Sequence, residues 1–153
     1  MTPKTLFRRL ATAEAITWAL LLAGMVLKYV TQTTDLGVRV GGMLHGVVFI
    51  SYVLVTMIVW TNQRWSTRTG LLALASAIPP FATVLFDRRA EGAGLLEGPW
   101  RLGVGGDVPT NPAERLLAWA IRTPALAALV AVVAVACLTG VALLIGPPTQ
   151  IGG

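Results

Sequence analysis

The sequence predicts an all-α polytopic membrane protein with four transmembrane helices, one short interfacial helix and a long irregular loop. Three observations predict it. Hydrophobic residues make up 55% of the 153 positions and charged residues only 12%, against about 25% charged in an ordinary soluble domain. Mean hydropathy is +0.72. Four apolar stretches, Leu10 to Leu27, Val40 to Trp60, Gly70 to Phe86 and Pro124 to Ile145, match a helix rising about 1.5 Å per residue through a hydrocarbon core about 30 Å thick.

The first helix has a cap residue before a proline in Thr2-Pro3, so it starts outside the membrane with Arg8 and Arg9 among the headgroups. Its basic start and apolar run resemble a signal peptide, but the run holds Glu14 and leads to Lys28-Tyr29 instead of a small-residue cleavage site. Thr31 to Val38 reads as a polar loop. Gly41-Gly42 opens the second helix, and Trp60 closes it in an aromatic-belt position. The third stretch is the shortest, and Pro79-Pro80 remove the donors for the carbonyls of Ala75 and Ser76, which predicts a kinked helix packed inside the bundle.

The composition then shifts to Gly, Pro and mixed charge, predicting irregular backbone with a small hairpin at Gly105-Gly106. Asn111-Pro112-Ala113-Glu114 has the capping-box arrangement and starts a short helix, to Arg122, expected to lie along the interface. Thr123-Pro124 repeats the cap-plus-proline signal and launches the fourth span. The organisation is therefore a three-helix membrane core (1–89), a loop (90–111), an interfacial helix (112–122), and a fourth transmembrane helix with its tail (123–153).

The net charge of +5 comes from cations scattered at helix ends, not from a nucleic-acid-binding stripe. With alternating spans, five cations fall on the N-terminal side and seven on the other, which does not settle orientation. The flanks of the first helix, three cations before it against Lys28 after, lean toward a cytoplasmic N-terminus. Cys137 is alone, and neither a nucleophile–base pair nor a phosphate loop stands out. No catalytic residue, metal ligand, cofactor or small-molecule substrate is expected. Haem is disfavoured because His45 is the single histidine, although a His/Met pair is conceivable with Met25, Met43 or Met57.

Depth counted from the apolar boundaries puts Glu14 about 6 Å below one face and His45 about 8 Å below the other, roughly 16 Å apart. Arg68, Thr56 and Ser76 are then level with Glu14, and Tyr29, Lys28 and Asp87 with His45. Such layers serve either as clamps that fix helix register or as a proton or ion site. The clamp reading is preferred, because the apolar side chains between the layers cannot relay a proton. Gly42 and Gly46, four apart beside His45, predict close approach of a neighbouring backbone, as does Ala136-x-x-x-Gly140 in the fourth span.

From about residue 5 to 89, "FRRLATAEAI" leading to "LKY", then "VGGMLHGVVFISYV" and "RWSTRTGLLALASAIPPFATVLFDRR" resemble the small three-span integral membrane proteins of actinobacteria and some other bacteria grouped as a domain of unknown function. The combination of Glu14, Lys28-Tyr29, His45-Gly46, Pro79 and Asp87-Arg88 carries the resemblance. Where that family has glycine after the helix-one glutamate, this chain has Ala15. The resemblance implies membrane insertion but no reaction, and residues 90–153 lie outside it as an added module. A looser likeness is to accessory subunits of respiratory supercomplexes built around cytochrome oxidase. The expected function is a non-catalytic accessory or assembly subunit whose partners are lipid and other membrane protein subunits. The alternative is a small transporter or channel using Glu14 or His45.

Overall fold

The computed structural model describes residues 1–145; the predicted tail beyond them lies outside the described residues. It is all-helical among those residues. Helix α1 (Pro3–Met25) runs on through a π-helical segment, Val26–Val30, and a short turn leads to α2 (Leu36–Gln63). Two short helices follow, α3 (Thr67–Ala75) and α4 (Ala82–Gly92), then α5 (Pro112–Arg122) and α6 (Pro124–Ile145).

Among the described residues, three helical stretches are long and apolar enough to cross a membrane, where the sequence predicts four: Pro3–Val30, Leu36–Gln63 and Pro124–Val141. The predicted third span, Gly70 to Phe86, is instead a helical hairpin. Pro79 and Pro80 end α3 rather than kinking it, and Phe81 turns left-handed at φ 66° before α4 begins. The expected orphan carbonyl of Ala75 accepts from the Ile78 N–H at 3.1 Å. The Ala77 N–H bonds Leu74 (3.1 Å), one residue short of its α-helical partner Ala73. The Ala73 carbonyl is thereby freed, and it accepts the Tyr52 hydroxyl at 3.1 Å and the Ser76 hydroxyl at 2.6 Å.

The hairpin enters and leaves at the same end of the molecule. Going down, α3 follows α2, with Gly70 under the Trp60 ring and Ala73 beside Tyr52. Coming back, α4 follows α1, with Thr83 on Ala11, Asp87 on Arg8 and Glu91 on Lys4. The Trp65 indole N–H donates to the Leu95 carbonyl (2.8 Å), closing the hairpin at its mouth.

Antiparallel packing of α1 on α2 positions everything else. Gly24 and Gly37 meet backbone to backbone, so that a Cβ on Gly24 would lie 2.4 Å from the Gly37 carbonyl carbon. Gly41 rests against the backbone of Leu20 and Leu21. The expected close-approach pair is corrected: among the described residues, Gly42 meets only a Leu21 methyl at 3.8 Å, and Gly46 and Gly140 have nothing within 4 Å. At the open end of the hairpin, Phe7 is fully buried among Tyr52, Trp65 and Phe86, with ring centroids 5.5–6.0 Å away.

The predicted loop folds onto the same end. Asn62 accepts the Arg101 N–H (2.9 Å), and the expected hairpin at Gly105-Gly106 is a tight turn without strands, closed by Asp107 N–H to Arg101 carbonyl (2.8 Å). Helix α5 starts where expected, capped by Asn111. Leu117 and Ala118 then bury against Leu102 and Ile58. Helix α6 runs along α2 and leaves an apolar crevice of about 580 Å³ lined by Val55, Ile58, Ala131 and Val135, among others.

Candidate functional site

Polar side chains gather where the hairpin tip meets α1 and α2. Glu14 is fully buried on α1. Its Oε2 lies 2.8 Å from the Thr83 hydroxyl, and the same hydroxyl lies 3.1 Å from the Ala11 carbonyl. Thr83 stands in the first turn of α4, so the carboxyl faces the positive end of a half-helix. That end is worth about 0.3–1 kcal/mol to an anion at an exposed site. Placing a charged side chain at the centre of a membrane helix costs about 2.5–3.5 kcal/mol on insertion scales. The half-helix alone does not offset burial.

One turn further along α1, the Thr17 hydroxyl donates to the Glu14 carbonyl (2.9 Å) and lies 3.2 Å from His45 Nδ1 on α2. A hydroxyl has one proton. With that proton on the Glu14 carbonyl, Nδ1 is the donor to Thr17, which fixes the tautomer with a free Nε2. The imidazole also packs against Trp18 (4.4 Å between centroids) and Phe49 (6.2 Å).

The two-layer expectation is therefore corrected: Glu14 and His45 are linked through one threonine, three residues apart in level instead of 16 Å. Counting depth from the first apolar residue misplaced both. The first helix starts at Pro3, seven residues before Leu10, so Glu14 lies about 16 Å along it. The expected partners change too. Thr83 replaces Arg68, Thr56 and Ser76 for Glu14, and Thr17 replaces Tyr29, Lys28 and Asp87 for His45. Lys28 sits over the Tyr29 ring at 5.3 Å, at the far end of the molecule. Asp87 is buried against Arg8 (3.0 Å), while Arg88 next to it is exposed. Arg8 also bonds Glu91, and Lys4 reaches Glu91 at 2.6 Å, so that this carboxyl is held below its ordinary range, first by Lys4 and then by Arg8.

Two features escaped the sequence. Tyr52, fully buried, caps the broken α3, donating to Ala73 and lying 3.1 Å from the Ser76 hydroxyl. Its signal was a lone phenol in an apolar run, since a buried hydroxyl needs a partner. The second is a latch at the mouth of the hairpin. The Arg101 guanidinium bonds Glu114 (2.6 Å), Asp107 (3.1 Å) and the Asn62 and Thr61 carbonyls. Glu114 is buried and accepts from the Thr110 N–H and hydroxyl, both at 2.8 Å. Those two bonds, with Arg101, hold its carboxyl down at about 2. The capping box was legible, but its acid reaches Thr110 instead of the Asn111 N–H.

Residues 4–91, which carry the hairpin and the whole polar layer, match the domain of unknown function DUF3817. The chain belongs to this family. A protein of Streptomyces coelicolor named as a membrane protein is 49% identical over 94 residues, which cover 61% of this chain and 11% of that protein. The chain thus spans about a tenth of that relative's length. No solved structure matches. Together with the three apolar helices, the family and its relative establish a membrane protein in contact with lipid. Where three spans are expected for the family region, the described residues hold two helices of spanning length and a hairpin. Of the expected added module, 90–153, all but its first two residues lie outside the matched residues.

Proposed function

We propose that this chain is a non-catalytic accessory or assembly subunit that docks on a larger complex in a bacterial plasma membrane. The observation that carries the reading is the incomplete seam between α2 and α6. These helices touch, yet an apolar crevice of about 580 Å³ stays open along their seam. A neighbouring subunit's helix completes such a seam by van der Waals contact, the main attraction between helices in lipid. The buried polar groups support the same reading, because Tyr52, Thr83, His45 and Thr17 each join two elements and fix their register. The looser likeness makes respiratory supercomplexes around cytochrome oxidase the first partner to test. The tagged chain, purified from native membranes in mild detergent, is expected to bring larger membrane proteins with it, with the oxidase recognisable by its haem absorbance. Elution only as a free chain overturns the proposal.

The membrane arrangement belongs to the same proposal. Three spans with a re-entrant α3–α4 hairpin put the N-terminus, the hairpin mouth and α5 on one side, with α5 along the interface. All twelve Lys and Arg except Lys28 and Arg39 then lie on that side. The excess of positive residues favours the cytoplasm for it.

A second reading has one specific observation in its favour. Interrupted helices whose half-helix ends face a buried polar group are how secondary transporters build ion sites. For a transporter, reconstituted vesicles would show solute or ion flux that Glu14→Gln or His45→Ala removes. Equal flux in the variants and in empty vesicles eliminates it.

A further inference from the structure

We propose that Glu14 is a proton-binding site, occupied in this conformation, whose carboxylic acid donates to Thr83 and ties the hairpin tip to α1. A proton count carries the argument. The Thr83 hydroxyl has one proton and two acceptors in reach, Glu14 Oε2 at 2.8 Å and the Ala11 carbonyl at 3.1 Å. A carboxylate would leave one proton to be divided between two acceptors. A carboxylic acid completes a chain in which Glu14 donates to Thr83 Oγ1 and Thr83 donates to Ala11, so that each contact has its own donor.

The surroundings agree. Glu14 is fully buried, its Oε1 makes no hydrogen bond within 3.5 Å, the Trp18 indole N–H is the one further donor beside it, and it makes no ion pair among the described residues. Each titratable group that faces it from the packed elements is already engaged. On α1 itself, Arg8 holds Asp87 and Glu91; on α4, Asp87 holds Arg8. On α2, His45 is bonded through Nδ1 to Thr17, and the Tyr52 hydroxyl is directed to Ala73 and Ser76. The titratable residue of α3, Arg68, sits at the opposite end of that helix. Membrane interiors rarely keep a carboxylate with no cation. The α4 N-terminus gives the deprotonated form a place to exist, so the site has two states. Loss of the proton turns the Thr83 hydroxyl toward Glu14 and releases Ala11, which loosens the tip of the hairpin. The inference stands apart from the accessory reading and survives its failure.

Infrared spectra of the purified full chain in lipid vesicles test it directly. Wild type at neutral pH is expected to show a carboxylic acid C=O band that Glu14→Gln lacks, and dicyclohexylcarbodiimide, which modifies protonated carboxyls in apolar surroundings, is expected to label the Glu14 peptide. In Thr83→Val, which keeps the acid but removes its acceptor, the band is expected to move to higher frequency. Wild-type and Glu14→Gln spectra that are identical in the acid region, or that differ only by a carboxylate band, overturn the proposal. So does a Thr83→Val band that stays in place.

Discussion

Gly24 and Gly46 lie on the paired helices of the same core, and their substitution has opposite consequences. A Cβ at Gly24 falls 2.4 Å from backbone, so Gly24→Ala must push α1 and α2 apart, at about 1–3 kcal/mol for overpacking. Gly46 has open space around it, and Gly46→Ala is expected to be neutral or stabilising by up to about 1 kcal/mol through helix propensity. Thermal melts of both variants in detergent check the pair. His45→Ala removes the Thr17 bond and the contact with Trp18, and a lower melting temperature is the expected result. Tyr52→Phe leaves Ala73 with the Ser76 hydroxyl alone, a loss of about 1 kcal/mol by the same assay. The sequence singled out His45, because a lone imidazole at the edge of an uncharged run needs a partner. It did not make Thr17 legible as that partner. Hydropathy marks where lipid begins to act as solvent, whereas register is set by the Gly24–Gly37 contact and by the π-helical turn at Val26–Val30, neither of which is an apolar boundary.

At the scale of elements, the hairpin and the latch show what periodicity leaves open. Pro79-Pro80 announced a break, and a break between two apolar half-helices is compatible with a kink or with a reversal. The decision came from residues far away in sequence: Tyr52 takes the freed Ala73 carbonyl, Ala11 takes Thr83, and Arg8 takes Asp87. The latch has a pH signature of its own. Glu114 sits at about 2 in the folded chain against an ordinary 4.5, so the unfolded latch binds the proton more tightly. Its stabilisation is complete above about 4.5 and is lost as pH falls toward about 2. Fluorescence of Trp100 and Trp119 is expected to report release of the module over that window, and Arg101→Ala to bring release at higher pH. A module that stays in place throughout that window, in wild type and variant alike, contradicts the assignment.

At the scale of the whole molecule, the membrane class and the first, second and last apolar helices were readable because each satisfies its own backbone within a long apolar run. The count of spans was not, since it depends on whether one short broken stretch crosses the bilayer or returns. That single choice also rearranges the charge. Alternating four spans divides the cations five against seven, whereas a returning hairpin places all but Lys28 and Arg39 at one end. Single cysteines at Thr33, in the α1–α2 turn, and at Val104, between α4 and α5, introduced into a Cys137→Ser background, separate the two arrangements in intact cells. With a membrane-impermeant thiol reagent, the returning hairpin predicts labelling at position 33 and protection at position 104 until the membrane is opened. Labelling of both positions from the same side would make the hairpin a full crossing and contradict the account.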